Sequence, residues 1–178
     1  MGTHLPDNVE AAKSRAEHLA KLTTILRSSD TVMLMTHAEG TGAITGRPMA
    51  LVEVDADGTI YLTTSNGSAK AIEIAADNRV ALTVQTGKGI VSIEGEARLT
   101  QDRAIIDQLW KDSWRIWYPE GRHSPSIAII VIDPIEGTYW DTSLSHGLSF
   151  LWRAVKARIT GDKIEADASD VGSIHLRH

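Results

Sequence analysis

The chain has 178 residues, of which 42% are hydrophobic and 23% charged, and its formal net charge is −5. This length suits one domain with a well-buried core, and the near-average composition excludes a disordered or fibrous protein. The absence of cysteine excludes disulfides, thiolate metal sites and cysteine nucleophiles. Because the basic residues are scattered singly, the sequence offers no positive stripe for a nucleic acid.

No stretch of the sequence resembles a targeting segment or a membrane span. Residues 1–10 lack the apolar core of a signal peptide, and nowhere do as many as about 18 apolar residues follow one another. We therefore expect a cytoplasmic protein with no membrane partner. The seven histidines are dispersed without the spacing of metal ligands, so no metal site is predicted.

The first half of the chain predicts a helix, three strands and a second helix. Residues 7–29 place apolar side chains at helical spacing after a candidate N-cap, which indicates an amphipathic helix. Strands are predicted at 31–37, 47–55 and 59–64. Asp57-Gly58 separates the last two and is a strong signal for a two-residue hairpin. Residues 68–78 predict a short helix.

The second half predicts four more strands and a less regular end. Strands are predicted at 79–85, 89–100, 126–132 and 135–141, and a helix at 101–110. The last two strands are interpreted as a pair on either side of Asp133-Pro134. Residues 142–178 predict a helix over 148–159, followed by a polar tail whose last dozen residues are expected to be mobile.

These elements favour a closed barrel over a parallel sheet. Six or seven short antiparallel strands have few helices between them, and closure would remove the exposed edges of the sheet. No repeat and no linker divides the sequence, so a single mainly β domain is predicted over 1–178, with the barrel formed by 31–141.

Two segments supply the donors that a phosphate monoester requires. Arg47 begins the second predicted strand, Thr64 ends the third, and Ser68 and Lys70 follow it. A guanidinium fork, a point charge and hydroxyls are the usual partners of phosphate oxygens. The alternative interpretation is a solvated arginine beside an ordinary Thr-Ser-Asn-Gly turn. The spacing of the two segments predicts a phosphate site.

The order of the motifs supports this prediction. Arg47-Pro48-Met49, the Asp-Gly hairpin, Tyr61-Leu62-Thr63-Thr64, Ser68-Ala69-Lys70 and Val91–Ala97 follow one another in the sequence. Together they resemble the pyridoxamine 5′-phosphate oxidase-like family of FMN-binding split barrels over about residues 10–141. The segments Leu109–Gly121 and Glu136–Asp141 are similar to the general stress protein branch of that family.

The resemblance implies an FMN site and assigns residues to it. The FMN phosphate would be held by Arg47 and Lys70, with Thr64 and Ser68 as hydroxyl donors. Pro48, Met49 and Thr63 would lie along the flavin ring. The tryptophans of the general stress segment, Trp110, Trp114 and Trp117, are interpreted as core or interface residues, with stacking on the flavin as the alternative.

The resemblance also implies a homodimer with the flavin at the interface. Residues 81–84 and 127–132 carry apolar side chains on both faces of their strands, which is more than one small barrel interior can hold. A second subunit, paired by a two-fold axis, is the simplest cover for these faces.

The sequence departs from the resembled oxidases at several places. Ala69 stands where they carry arginine, Ile90 stands where they carry glutamine, and residues 172–178 lack their Trp- and Arg-containing motif. We therefore do not expect oxidation of pyridoxamine 5′-phosphate. The prediction is an FMN-dependent oxidoreductase with a small substrate, NADH or NADPH as candidate donors, and a role in stress response. The alternatives are a non-catalytic flavin store or sensor, and a split barrel that binds deazaflavin or haem.

Overall fold

The computed structural model describes residues 7–141 and 171–176. Its first elements are helix α1 (Asp7–Leu26), strands β1 (Thr31–His37), β2 (Ile44–Val54) and β3 (Ile60–Ser65), and helix α2 (Ala69–Ala76). Strands β4 (Arg79–Thr86) and β5 (Gly89–Thr100), helix α3 (Arg103–Leu109), a 3-10 helix (Asp112–Ile116), and strands β6 (Ile127–Asp141) and β7 (Val171–His175) follow. Among the described residues, none of the helices is long and apolar enough to cross a membrane.

Six antiparallel strands close into a barrel. Hydrogen-bonded neighbours run in the order β3-β2-β1-β4-β5-β6, and β3 also pairs with β6, which closes the ring. Strand β7 pairs with the second half of β6 and extends the sheet beyond the ring. The predicted mainly β, six- to seven-stranded antiparallel split barrel is confirmed.

The barrel interior is a continuous apolar core. Because side chains alternate between the two faces of a strand, each strand contributes every second residue to it. Fully buried members are Leu34, Leu62, Leu82, Ile93 and Ile130. Leu22, Ile25 and Leu26 of α1 belong to the same core. The amphipathic N-terminal helix is thus held by its apolar face against the barrel.

A second apolar cluster covers the outer face of β6. Ile127, Ile129 and Val131 alternate with the inward-facing residues and are at most 1% exposed. They pack with Trp114, Tyr118 and two residues of α3, Ile106 and Leu109. For residues 127–132, the inference that two apolar faces require a second subunit is therefore wrong, because the chain's own segment after β5 covers the outer face.

Strand β6 is continuous through Asp133-Pro134. The sequence predicted two strands on either side of this dipeptide, and that prediction was wrong. Strand β5 pairs with β6 on both sides of the dipeptide, and the register shifts between Glu94 and Gly95, opposite Pro134. A proline has no amide hydrogen to donate, and a bulge is a position where a strand tolerates that loss.

Residues 171–176, which the sequence predicted within a mobile tail, are part of the folded sheet. Strand β7 pairs antiparallel with β6, and Ile174 is 5% exposed within the barrel core. Arg15 of α1 donates a hydrogen bond to the Leu176 carbonyl at 2.7 Å. The sequence did not predict this strand, because a single buried isoleucine among polar neighbours is a weak signal. The helix predicted over 148–159 lies outside the described residues.

Candidate functional site

A cleft of about 280 Å³ opens where β2 and β3 separate. The two strands pair only between residues 51–54 and 60–62, next to their shared hairpin. Beyond that ladder, residues 48–50 and 63–65 face each other across the cleft instead of pairing. The cleft is lined by Pro48, Met49, Ala50, Thr63, Thr64, Ser65, Lys70, Trp117 and Tyr118. The split in the barrel is therefore the candidate site.

Five of the seven residues predicted to bind a cofactor line this cleft. They are Pro48, Met49, Thr63, Thr64 and Lys70. Met49 is only 7% exposed, because its side chain also belongs to the barrel core. Ser68 lies beside the cleft, and its Oγ is 3.0 Å from Oγ1 of Thr64. The seventh residue, Arg47, is not part of the cleft wall.

Helix α2 begins at the edge of the cleft and places Lys70 in its first turn. Ser68 occupies the N-cap position, but its side chain does not cap the helix and meets Thr64 instead. The unpaired amides and the positive dipole end of a helix start favour an anion. The Lys70 ammonium forms no hydrogen bond or ion pair with any other described side chain. It is therefore available to a ligand.

The surroundings of Lys70 lower its pKa. Burial is the main cause, and the nearby positive charge of Arg47 lowers the pKa further. The carboxylate of Glu73 acts in the opposite direction. An anion bound in the cleft would favour the charged ammonium in the same way, because an opposite charge stabilises the protonated form.

Arg47 is held in a polar network at one end of the barrel. Its Nη1 donates to Oγ1 of Thr36 at 2.7 Å, and its Nη2 donates to Oγ1 of Thr45. The same Nη2 lies 2.8 Å from Oε2 of Glu73, and that oxygen also accepts a hydrogen bond from Thr36 at 2.6 Å. The guanidinium is thus engaged by three partners within the chain.

Strand alternation explains how this network forms. The sequence placed Arg47 at the start of a strand, but β2 begins at Ile44, so Arg47 lies inside it. Thr45 is two residues before Arg47 and shares its face, and Thr36 stands opposite Thr45 on β1. Helix α2 packs against β1 and brings Glu73 to the three side chains.

Sequence reasoning missed Thr36, Thr45 and Glu73. Two signals could have found them: the alternation of Thr45 with Arg47, and the spacing of Glu73 three residues after Lys70. That spacing puts the lysine and the glutamate on one face of α2. What the sequence did not show was the packing of α2 against β1, which brings the two signals together.

The Glu73–Arg47 ion pair is largely shielded from water. The side chain of Glu73 is 12% exposed and that of Arg47 is 22% exposed. The hydrogen bond from Thr36 is the main cause that lowers the pKa of Glu73, the charge and hydrogen bond of Arg47 lower it further, and burial opposes them. Glu73 is therefore ionised at neutral pH. Together, Arg47, Lys70 and Glu73 carry two positive charges and one negative charge.

We expect part of the acid sensitivity of the fold to come from Glu73. Its pKa in the folded state lies below the ordinary value of 4.5. The ionised carboxylate therefore stabilises the fold above that value, and this contribution is lost as the pH falls through the lowered folded-state pKa. As the pH falls below 4.5, the free energy of unfolding should fall more steeply for the wild type than for Glu73→Gln.

Denaturant titrations at several pH values measure this difference. Glu53→Gln is the matched control, because Glu53 also faces an arginine, Arg27, at 3.8 Å, but in a half-exposed pair. The prediction would be contradicted if the difference in the free energy of unfolding between the wild type and Glu73→Gln stayed constant throughout the acid range.

The tryptophans of the segment after β5 divide between two roles. Trp114 is 3% exposed in the outer cluster, and Trp110 packs edge-to-face on it with ring centroids 5.5 Å apart. Trp117 is 60% exposed and lines the cleft. Beside it, the hydroxyl of Tyr118 lies 3.5 Å from Oγ1 of Thr63. Trp110 and Trp114 thus belong to the core, and Trp117 offers a ring to a ligand.

A larger cavity of about 320 Å³ shares Thr36 with the Arg47 network. Met35, Ile44 and Ile135 form part of its wall. Its arginine, Arg79, is bound to both carboxylate oxygens of Asp77, at 2.9 and 2.6 Å. Within residues 7–141 and 171–176, no three acidic or histidine side chains gather as ligands for a metal ion.

The donors around the cleft between β2 and β3 fit a phosphate attached to a planar aromatic group. Lys70, Thr64, Ser68 and the start of α2 suit the phosphate. Pro48, Met49 and the two aromatic rings of the wall suit an apolar plane. The volume of about 280 Å³ is at the lower end for a ligand pocket, so a large ring system would need a further wall.

Known proteins resemble this chain in sequence pattern and in fold. A family model described as "Pyridoxamine 5'-phosphate oxidase like" matches residues 17–165. No curated protein sequence shows significant similarity to the chain.

Solved structures of three bacterial proteins share the fold. A protein from Clostridium acetobutylicum related to general stress protein 26 is 23% identical, with a TM-score of 0.62 over 71% of this chain and 89% of that one. General stress protein 26 of Bacillus anthracis is 22% identical, with a TM-score of 0.61 over 68% of this chain and 92% of that one. The general stress FMN/FAD binding protein of Xanthomonas citri is 25% identical, with a TM-score of 0.59 over 74% of this chain and 91% of that one.

Proposed function

This chain belongs to the pyridoxamine 5′-phosphate oxidase-like family, and from that premise we propose that it binds FMN in the cleft between β2 and β3. The observation that carries the proposal is the convergence of Pro48, Met49, Thr63, Thr64 and Lys70 on one cleft. The similar protein of Xanthomonas citri, which is described as FMN/FAD binding, supports a flavin as the ligand.

The described residues divide into a phosphate end and a ring end. Lys70, Thr64 and Ser68 would hold the FMN phosphate, and Arg47 would add positive charge from its network beside the cleft. Pro48, Met49 and Thr63 would lie along the flavin ring, and Trp117 lines the same cleft. When bound, FMN supplies the redox chemistry, and the protein sets its orientation and access.

We propose further that the flavoprotein is an oxidoreductase for a small substrate, reduced by NADH or NADPH, with a role in stress response. The family membership supports this class of reaction. A specific observation favours the alternative of a non-catalytic flavin store or sensor: Lys70 and Tyr118 are the only titratable side chains in the described cleft wall. A split barrel of this shape that binds deazaflavin or haem is the third candidate.

Spectroscopy of the purified protein separates these candidates. The proposal expects a flavin absorption spectrum, or uptake of added FMN, and bleaching of that spectrum by NADH or NADPH without oxygen. A bound flavin that neither donor reduces would favour the store or sensor. A haem or deazaflavin spectrum, or no affinity for FMN, FAD or riboflavin, would exclude the proposed function.

We expect no oxidation of pyridoxamine 5′-phosphate or pyridoxine 5′-phosphate. Ala69 and Ile90 replace the arginine and the glutamine that the resembled oxidases carry near the phosphate and the flavin. An assay of the FMN-loaded protein for pyridoxal 5′-phosphate and peroxide tests this expectation. Turnover on the order of 1 per second, an ordinary enzyme rate, would contradict it.

We also propose a homodimer that completes the flavin site. An apolar surface, including Met33, Pro48, Val84 and Ile90, surrounds a depression of about 380 Å³ on the barrel. Met33 is 44% exposed there, although it is a large apolar side chain. Pro48 belongs both to this surface and to the cleft. A second subunit on this surface would therefore supply the missing wall of the cleft.

Sedimentation should then give a mass near twice 19.4 kDa, and FMN should strengthen the dimer by mass action. Met33→Lys should weaken the dimer, because it places a charge in the apolar surface. Ile72→Lys is the matched control, since Ile72 is 47% exposed on α2, outside this surface. A wild-type monomer at micromolar concentration that binds FMN tightly would contradict the shared site.

A further inference from the structure

The predicted phosphate-binding arginine already has a carboxylate partner. Glu73 occupies one of its terminal nitrogens, and the hydroxyls of Thr36 and Thr45 accept from the two nitrogens as well. A phosphate is usually bound by the parallel N–H groups of a guanidinium fork. In Arg47, three of the five N–H donors, two on Nη2 and one on Nη1, are engaged within the chain before any ligand arrives.

We infer that Glu73 is a specificity-determining residue of the phosphate site: an internal counter-ion that competes with the ligand phosphate for Arg47. The inference rests on the proposed function, because it concerns the phosphate end of the proposed FMN site. It gives the two cations of the site different roles. Lys70, which lines the cleft without a partner, makes the primary contact, and Arg47 contributes mainly when it is released from Glu73.

The charge of Glu73 has a second effect on the ligand. A phosphate monoester carries about −1.5 to −2 charges at neutral pH. The site offers the two positive charges of Arg47 and Lys70, less the negative charge of Glu73, which leaves a single net positive charge. Because Glu73 is largely shielded from water, salt screens its repulsion of a nearby phosphate only weakly. Glu73 should thus weaken binding in proportion to the negative charge of the ligand.

Glu73→Gln tests the inference, since glutamine keeps the shape and a hydrogen-bond acceptor but removes the charge. FMN affinity should rise about tenfold, because a like charge near the phosphate is lost. Riboflavin affinity should stay unchanged, since riboflavin has the same ring without the phosphate. Glu53→Gln is the control, because Glu53 pairs with a different arginine, Arg27. Glu53 lies six residues after Arg47 on β2, which is roughly 20 Å at about 3.3 Å per residue.

A second measurement needs no flavin. Modification of the free protein by phenylglyoxal, read residue by residue by mass spectrometry, reports how firmly each guanidinium is held. Arg47 should react faster in Glu73→Gln than in the wild type, while Arg27 serves as the internal reference. Equal rates at Arg47 in both proteins would show that Glu73 does not hold the guanidinium, and would overturn the inference.

The outcomes separate the inference from the proposed function. If the wild type binds FMN and Glu73→Gln binds it equally or more weakly, the inference is overturned and the FMN site stands. Equal gains for FMN and riboflavin would also overturn it, because the effect would then not act on the phosphate. If neither protein binds FMN or riboflavin, the proposed function fails and the inference fails with it.

Discussion

Lys70→Ala should weaken FMN binding about tenfold to a hundredfold, which corresponds to about 1.5 to 3 kcal/mol for a lost hydrogen bond between charged groups. Lys70 lines the cleft, and its ammonium has no partner among the described side chains. Little is therefore lost inside the free protein when the ammonium is removed. Calorimetric titration with FMN and with riboflavin measures the effect, and only the FMN affinity should fall.

Arg47→Ala provides the comparison. Because Arg47 is bound to Glu73, Thr36 and Thr45, we expect it to lower FMN affinity less than Lys70→Ala does, and to lower the stability of the free protein more. If both variants leave the FMN affinity unchanged, the assignment of the phosphate site is wrong. Loss of riboflavin affinity in Lys70→Ala would place the lysine at the ring end of the site.

Trp114→Ala should lower the free energy of unfolding by about 3 to 5 kcal/mol, the usual cost of removing a buried aromatic side chain from a core. Trp114 is 3% exposed and packs against the outer face of β6, together with Ile106 and Leu109 of α3. Its loss would leave a cavity in the cluster that covers this strand. Denaturant unfolding of the free protein measures the change.

Trp117→Ala is the matched control from the same segment. Trp117 is 60% exposed, so its removal should change the free energy of unfolding by no more than about 0.5 kcal/mol. Its ring lines the cleft, so the same variant should weaken FMN binding. Similar losses of stability in the two variants would contradict the division of roles between the tryptophans.

The sequence by itself determined the elements that local patterns encode. Alternation over 31–37 and 89–100 predicted β1 and β5 with their observed bounds. Asp57-Gly58 predicted a turn between β2 and β3, and Gly58 adopts a positive φ of 95°. The predicted two-residue hairpin was wrong, because the connection spans residues 55–59 and Asp57 has no positive φ. The number and short spacing of the strands indicated the barrel, and the order of the motifs indicated the site, of which five of the seven predicted residues line one cleft.

Only the tertiary structure decided which of these residues are available to a ligand. Arg47 and Lys70 look equivalent in the sequence, yet the packing of α2 against β1 gives one of them a carboxylate partner and leaves the other without one. Tertiary packing also decided two other features: residues after β5 cover the outer face of β6, and β7 pairs with β6. The physical reason is common to all three: alternation and turn chemistry act between near neighbours, whereas these contacts join segments that are distant in the chain and depend on the closed barrel.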